Sequence, residues 1–147
     1  MLNMTHYTFY SRRYIMKKLY NASFTYLIIG LLSGIFAREY GKYKGIVGST
    51  LLNLLHTHTL VLGFFFFLIA LGLAKVFAFH EAKSFNKWFV VHNIALILML
   101  GSLATRGLLQ LNGADFKGLT YIVGFSHSLM AVTLIWFMLL IKKSFKI

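Results

Sequence analysis

Cysteine and proline are absent from this 147-residue chain, and three acidic side chains stand against fifteen lysines and arginines. The missing cysteine excludes a disulfide framework, a thiolate-held cluster and a covalently attached c-type heme, so any metal must be held through nitrogen or oxygen. The missing proline leaves the apolar runs free of a built-in break, which suits helices that satisfy every backbone group internally. Glu81 and Asp115 fall in connecting segments. There is no buried carboxylate pair for acid–base work and no nucleophile with a base beside it, so no catalytic residue is assigned.

What is abundant is apolar: 59% of the residues are hydrophobic, above the usual share in a soluble domain. Four apolar runs, at 19–37, 46–74, 88–105 and 119–141, are separated by charged or polar stretches. Each approaches or exceeds the ~20 residues that cross ~30 Å of hydrocarbon. The second is too long for one upright span and is expected to start near Val47 and emerge around Gly72. The expected fold is all-α, an integral membrane four-helix bundle in residues 16–147. Residues 1–15 read as an N-terminal extension, because Met16-Lys17-Lys18-Leu19 looks like a start of its own. The first run has the basic flank of a signal peptide but no small-residue cleavage pattern, and reads as a retained helix.

The net charge of +12 is spread over tails and loops. With no basic domain to hold it, it points to membrane topology and not to nucleic acid. One side carries Arg12, Arg13, Lys17, Lys18, Lys75, Lys83, Lys87, Lys142, Lys143 and Lys146, the other Arg38, Lys42, Lys44, Arg106 and Lys117. The larger group places both termini in the cytoplasm. The expected location is a bacterial cell (plasma) membrane, crossed several times, with the lipid bilayer as the first partner.

No Asp, Glu, Lys or Arg occurs from Gly45 to Ala74, yet His56 and His58 lie inside that run. An ionisable group in hydrocarbon costs about 2.5–3.5 kcal/mol even on the gentler scales, so it marks a functional site by default. Neutral imidazole is a ligand for metals and for heme iron. Residues two apart on an α-helix point about 200° apart, so the two rings face different sites. The His56 face continues through Thr59 and Gly63, a hydroxyl and a bare backbone against which a flat macrocycle can lie. The His58 face continues through Leu62 and Phe65. Both are expected roughly 12–18 Å in from the outer end of their helix, at ~1.5 Å per residue.

His127 lies ten positions after Lys117, at comparable depth, with Thr120, Gly124 and Ala131 around it at helical spacing, so a His58–His127 pair across the bundle is geometrically open. His92, one turn after Trp88, reads as too shallow to share a metal with the other three and more as an interfacial or supporting residue. Arg106, fourteen positions on and on almost the same face, can meet a carboxylate such as a heme propionate; the plainer reading is a snorkelling residue at the end of a span. Gly30 and Gly34, with Ser33 between them, form a small-xxx-small pattern for close helix contact. The plain reading of the histidines is hydrogen bonding to neighbouring helices. His6 and His80 lie outside the spans.

From Met16 onward the chain resembles a family of small four-helix bacterial membrane proteins that share the His-Thr-His-Thr stretch, a likeness that brings no activity with it. At His56-Thr57-His58-Thr59-Leu60-Val61-Leu62-Gly63 it also resembles the His-x-His segment of the heme-copper oxidase and nitric oxide reductase catalytic subunit. That second resemblance implies four-helix arcs around a pseudo-threefold axis, with His56 similar to the ligand of the high-spin heme and His58 to that of the low-spin heme. A single four-helix chain would rebuild it as a homotrimer. There is no His-His pair on the third helix, only His92-Asn93, and no His followed by Tyr one turn later for a copper site, so oxygen reduction is not implied.

The function expected is a membrane b-type heme protein, for electron transfer or binding of a diatomic gas, oxygen or nitric oxide. Its cofactor site would draw on His56, His58, His127, Arg106 and Gly63, and its metal ligands on His56, His58, His127 and His92. Copper is an additional cofactor to consider, a quinol or a cytochrome the donor, a homo-oligomer, with a trimer favoured, the assembly. The alternatives are a copper- or zinc-binding or transport protein using the same histidines, and a cofactor-free accessory subunit.

Overall fold

In hydrocarbon a backbone must close its hydrogen bonds within its own segment, and the helix is the form that does so. The computed structural model describes residues 2–46, 48, 50–114 and 116–144, with side chains from residue 13 onward, and these residues form an all-α chain. Helix α1 runs over Leu2–Tyr43, α2 over Leu51–Phe77, α3 over Phe85–Leu111 and α4 over Gly118–Ser144. Arg13–Tyr43 of α1 and all of the other three are long and apolar enough to cross a membrane. Ala78, at φ 50°, closes α2 in the left-handed conformation usually given to glycine, and a single 3-10 turn, Phe79–Glu81, leads to α3.

α1 runs unbroken from Leu2, so residues 2–15 of the expected extension share one helix with the first span. One boundary differs from the sequence reading. α2 starts at Leu51; Val47, where it was expected to begin, lies outside the described residues, as does Asp115. Gly45 and Gly48, at φ +66° and +119°, make the preceding segment a turn that a longer helix cannot include. His56 and His58 therefore sit only about 8 and 11 Å into their helix at 1.5 Å per residue, shallower than expected.

α2 and α3 form the central pair; α1 packs on α2, and α4 packs on α3. Side chains bridge the remaining gaps. Tyr26 of α1 donates its hydroxyl to Asn93 Oδ1 of α3 at 2.8 Å, and Phe66 of α2 meets Phe137 of α4 with 5.0 Å between ring centres. Glycines let the backbones approach. A Cβ on Gly30 would lie 2.6 Å from Leu60 Cδ2, one on Gly63 2.6 Å from Tyr26 Cβ, and one on Gly107 2.7 Å from the backbone nitrogen of Leu52. Gly30 and Gly34 thus serve contact between α1 and α2 within the chain, the close approach that small residues give helices in lipid. The surface is apolar: Leu32, Ile35, Phe125 and Met138 are each more than 60% exposed, while Ser23, Thr59, His92, Ser102, Ser126 and Thr133 are buried. Apolar side chains outward and small polar ones between helices is the arrangement a bilayer favours.

The middle of α2 is not α-helical. Thr59–Phe65 is wound as a π-helix, and the Phe66 N–H goes to the Val61 and Gly63 carbonyls, passing over that of Leu62. A neighbouring helix reaches into this segment: Ser23 Oγ donates to the Phe64 carbonyl at 3.1 Å. The Leu62 carbonyl approaches the His92 ring without completing a hydrogen bond to Nε2. Such turns recur at functional sites.

Candidate functional site

His58 and His127 come together from α2 and α4, with ring centroids 6.5 Å apart and planes at 76°. Each ring is anchored in the same way. His58 Nδ1 lies 2.9 Å from the Leu54 carbonyl, and His127 Nδ1 lies 2.8 Å from the Val123 carbonyl. A carbonyl oxygen only accepts, so each Nδ1 carries the proton and donates, and in the neutral ring Nε2 keeps its lone pair. An imidazole whose outer nitrogen donates to a carbonyl is the usual state of a metal-ligating histidine. The separation is of the order set by two metal–nitrogen bonds of about 2 Å each plus the distances from ring nitrogen to ring centre. His127 is exposed and His58 half-buried, so the pair opens on the outer face of the bundle. Gly124, one turn before His127, has no atom within 4 Å of a built Cβ, which keeps that face open.

His56 faces the other way, as its two-residue offset from His58 requires. A Cβ on Gly34 would meet His56 Cβ at 3.4 Å and Cγ at 3.5 Å, so the ring lies over α1. The face expected to receive a flat macrocycle is occupied by that helix: Thr59 lies against Gly30, and Tyr26 fills the space at Gly63. His56 Nδ1 is buried without a hydrogen-bond partner among the described residues, and Nε2 has only a 3.4 Å approach to Thr57 Oγ1. Two grooves of about 290 Å³ each meet at this residue.

His92, read as an interfacial or supporting residue, is fully buried within the bundle. Its ring stacks on Phe66 at 4.5 Å and packs against Phe67 and Trp88, and its Nδ1 lies 3.0 Å from Thr133 Oγ1. Because α3 continues well past its apolar run into Phe85 and Asn86, a residue one turn after Trp88 already lies inside the bundle. It joins α2, α3 and α4 at their crossing and is not brought together with His58 and His127. His92→Ala is expected to lower thermal stability by about 2 kcal/mol or more through the cavity it leaves, read as the unfolding midpoint in detergent micelles. The absorption spectrum of the protein that remains folded is expected to stay unchanged; a changed spectrum with intact folding would make His92 a ligand.

Arg106 is half-buried and makes no hydrogen bond or ion pair among the described residues. The cations that do gather near a histidine are Arg38 and Lys42, beside His56. The sequence reading passed over them because they sit at the end of α1, fourteen or more positions from the motif they adjoin. It also placed His80 outside the spans, where it lies, yet the residue is buried.

No curated protein and no solved structure matches the chain. Residues 16–144, nearly the whole of the described bundle and both members of the His58–His127 pair, match the family model described as "Protein of unknown function (DUF2871)", and the chain belongs to that family.

Proposed function

We propose that this protein is a membrane b-type heme protein whose iron is held by His58 and His127. The observation that carries the reading is the pair itself: two imidazoles on different helices, each with Nδ1 fixed to a carbonyl and Nε2 left free. Two donors are two short of a tetrahedral zinc site. Among the described residues no group of three or more His, Cys, Asp or Glu comes together. A heme brings four nitrogens of its own and asks the protein for one or two axial imidazoles, so the donor set fits it better than a bare zinc ion. The resemblance at residues 56–63 implies a heme ligand at His58 and, unlike this reading, another at His56.

When bound, the group supplies one-electron chemistry and affinity for oxygen or nitric oxide. The chain supplies the rest. The Leu54 and Val123 carbonyls hold the rings in one tautomer and raise their basicity, and the apolar surroundings keep water out. Held by both rings the group would serve electron transfer from a quinol or a cytochrome, and held by His58 or His127 alone it would serve gas binding. An imidazole pair open to lipid is costly, so the same reading includes a cover, either the macrocycle or a second copy in a homo-oligomer, with three copies the number the resemblance implies. The setting is a bacterial cell membrane with both termini cytoplasmic.

The test is the absorption spectrum, oxidised and reduced, of protein purified in mild detergent after expression with heme available, with elemental analysis of the same sample. A Soret band that shifts on reduction, with iron near stoichiometric, is expected. A featureless spectrum, with or without bound copper or zinc, would overturn the reading.

A further inference from the structure

Where α1 leaves the bilayer, the chain builds a groove that the heme reading does not use. Its upper arm, about 290 Å³, is lined by Arg38, Lys42, Thr50, Asn53 and His56 together with open glycines. A lower arm of the same volume continues along Gly30, Leu31, Ile35 and Leu60 and shares Gly34, Arg38 and His56 with the first. One end is therefore polar and cationic and the other apolar, with Leu31 and Ile35 both more than half exposed.

Glu39 takes a single contact from each cation, Arg38 Nε at 3.0 Å and Lys42 Nζ at 3.3 Å. Four guanidinium N–H groups and two ammonium protons remain to be used. Two cations against one carboxylate leave one positive charge, the complement of one phosphodiester. The His56 ring, at the junction of the arms, has hydrogen-bonding capacity that the protein does not use, and buried capacity of that kind calls for a partner.

We infer that this groove binds one anionic phospholipid, its phosphodiester between Arg38 and Lys42 and the Asn53–His56 edge, and an acyl chain along Gly30, Ile35 and Leu60. A free phosphate would use only the upper arm. The apolar continuation and the single uncompensated charge favour the phospholipid. The site is independent of the His58–His127 pair, which lies on the opposite side of α2.

Native mass spectrometry of the protein released from micelles, titrated with phosphatidylglycerol or with zwitterionic phosphatidylcholine, tests the inference, with heme absorbance recorded on each sample. One phosphatidylglycerol per chain is expected to be retained preferentially. The double variant Arg38→Gln, Lys42→Gln is expected to weaken that retention at least about tenfold, from the worth of two cations near a lipid phosphate. Gly41→Leu gives a second arm. A Cβ there meets nothing within 4 Å and leucine favours the helix, so the variant is expected to fold while its side chain fills the upper arm and lowers retention. Equal retention of the two lipids by the native chain, or undiminished retention by both variants, would overturn the site. So would loss of heme absorbance in place of lipid, which would assign the groove to the cofactor.

Discussion

Alanine at either His58 or His127 is expected to remove the spectrum of a heme held on both sides, while His56→Ala leaves it in place. The rings that come together belong to His58 and His127, and each is locked by a hydrogen bond of 2.8–2.9 Å to the carbonyl one turn earlier. Losing only an outer partner of a ligating histidine already costs about 10- to 100-fold in affinity, so losing the ligand is expected to cost more. The single variants are expected to show weak, high-spin absorption that exogenous imidazole sharpens, and the double variant none. Visible absorption at matched protein concentration, with circular dichroism to show that helix content is unchanged, makes the comparison. The opposite pattern, dependence on His56 and indifference to His127, would move the iron to the α1 side of α2.

Gly107→Ala is expected to be the most destabilising single-methyl change in the bundle. The added Cβ would lie 2.7 Å from Leu52 N, 2.9 Å from its Cα and 3.0 Å from its Cβ. That obstacle is backbone, which cannot rotate aside, so the first turn of α2 and the end of α3 must separate. Overpacking of this kind costs about 1–3 kcal/mol, and the upper end is expected. Gly30→Ala is the control. Its Cβ meets the end of Leu60, at 2.6 Å from Cδ2, which a rotamer change moves out of the way, so a smaller loss is expected. Because Leu52 opens the helix that carries His58, Gly107→Ala is also expected to weaken the spectrum of the folded protein. Thermal unfolding of the two variants in the same detergent, followed by circular dichroism, ranks them; equal midpoints would show that α2 and α3 separate there at little cost.

The spans were legible because the signal is one-dimensional. Hydrocarbon excludes charge, so runs of about twenty residues without Asp, Glu, Lys or Arg announce themselves wherever the chain folds. The opposed faces of His56 and His58 were legible from helix geometry alone, since two residues turn a helix through a fixed angle. Two features break that regularity. The turn at Gly45 and Gly48 shortens α2, and the π-helix at Thr59–Phe65 passes over the Leu62 carbonyl, which approaches His92. Both depend on backbone conformations that no residue pattern here announces.

By itself, then, the sequence determined an all-α chain with four helices of membrane-spanning length, histidines inside an apolar run and the small residues that let helices touch. Burial, partner and neighbour were decided by tertiary structure. His92 took its place at the crossing of three helices, Gly63 passed beneath Tyr26, and Arg38 with Lys42 joined His56 across two helices. The physical reason is that lipid imposes the apolar pattern on each segment separately. Which segment lies beside which follows from packing and hydrogen bonding between helices, and those terms depend on pairs of residues far apart in the chain.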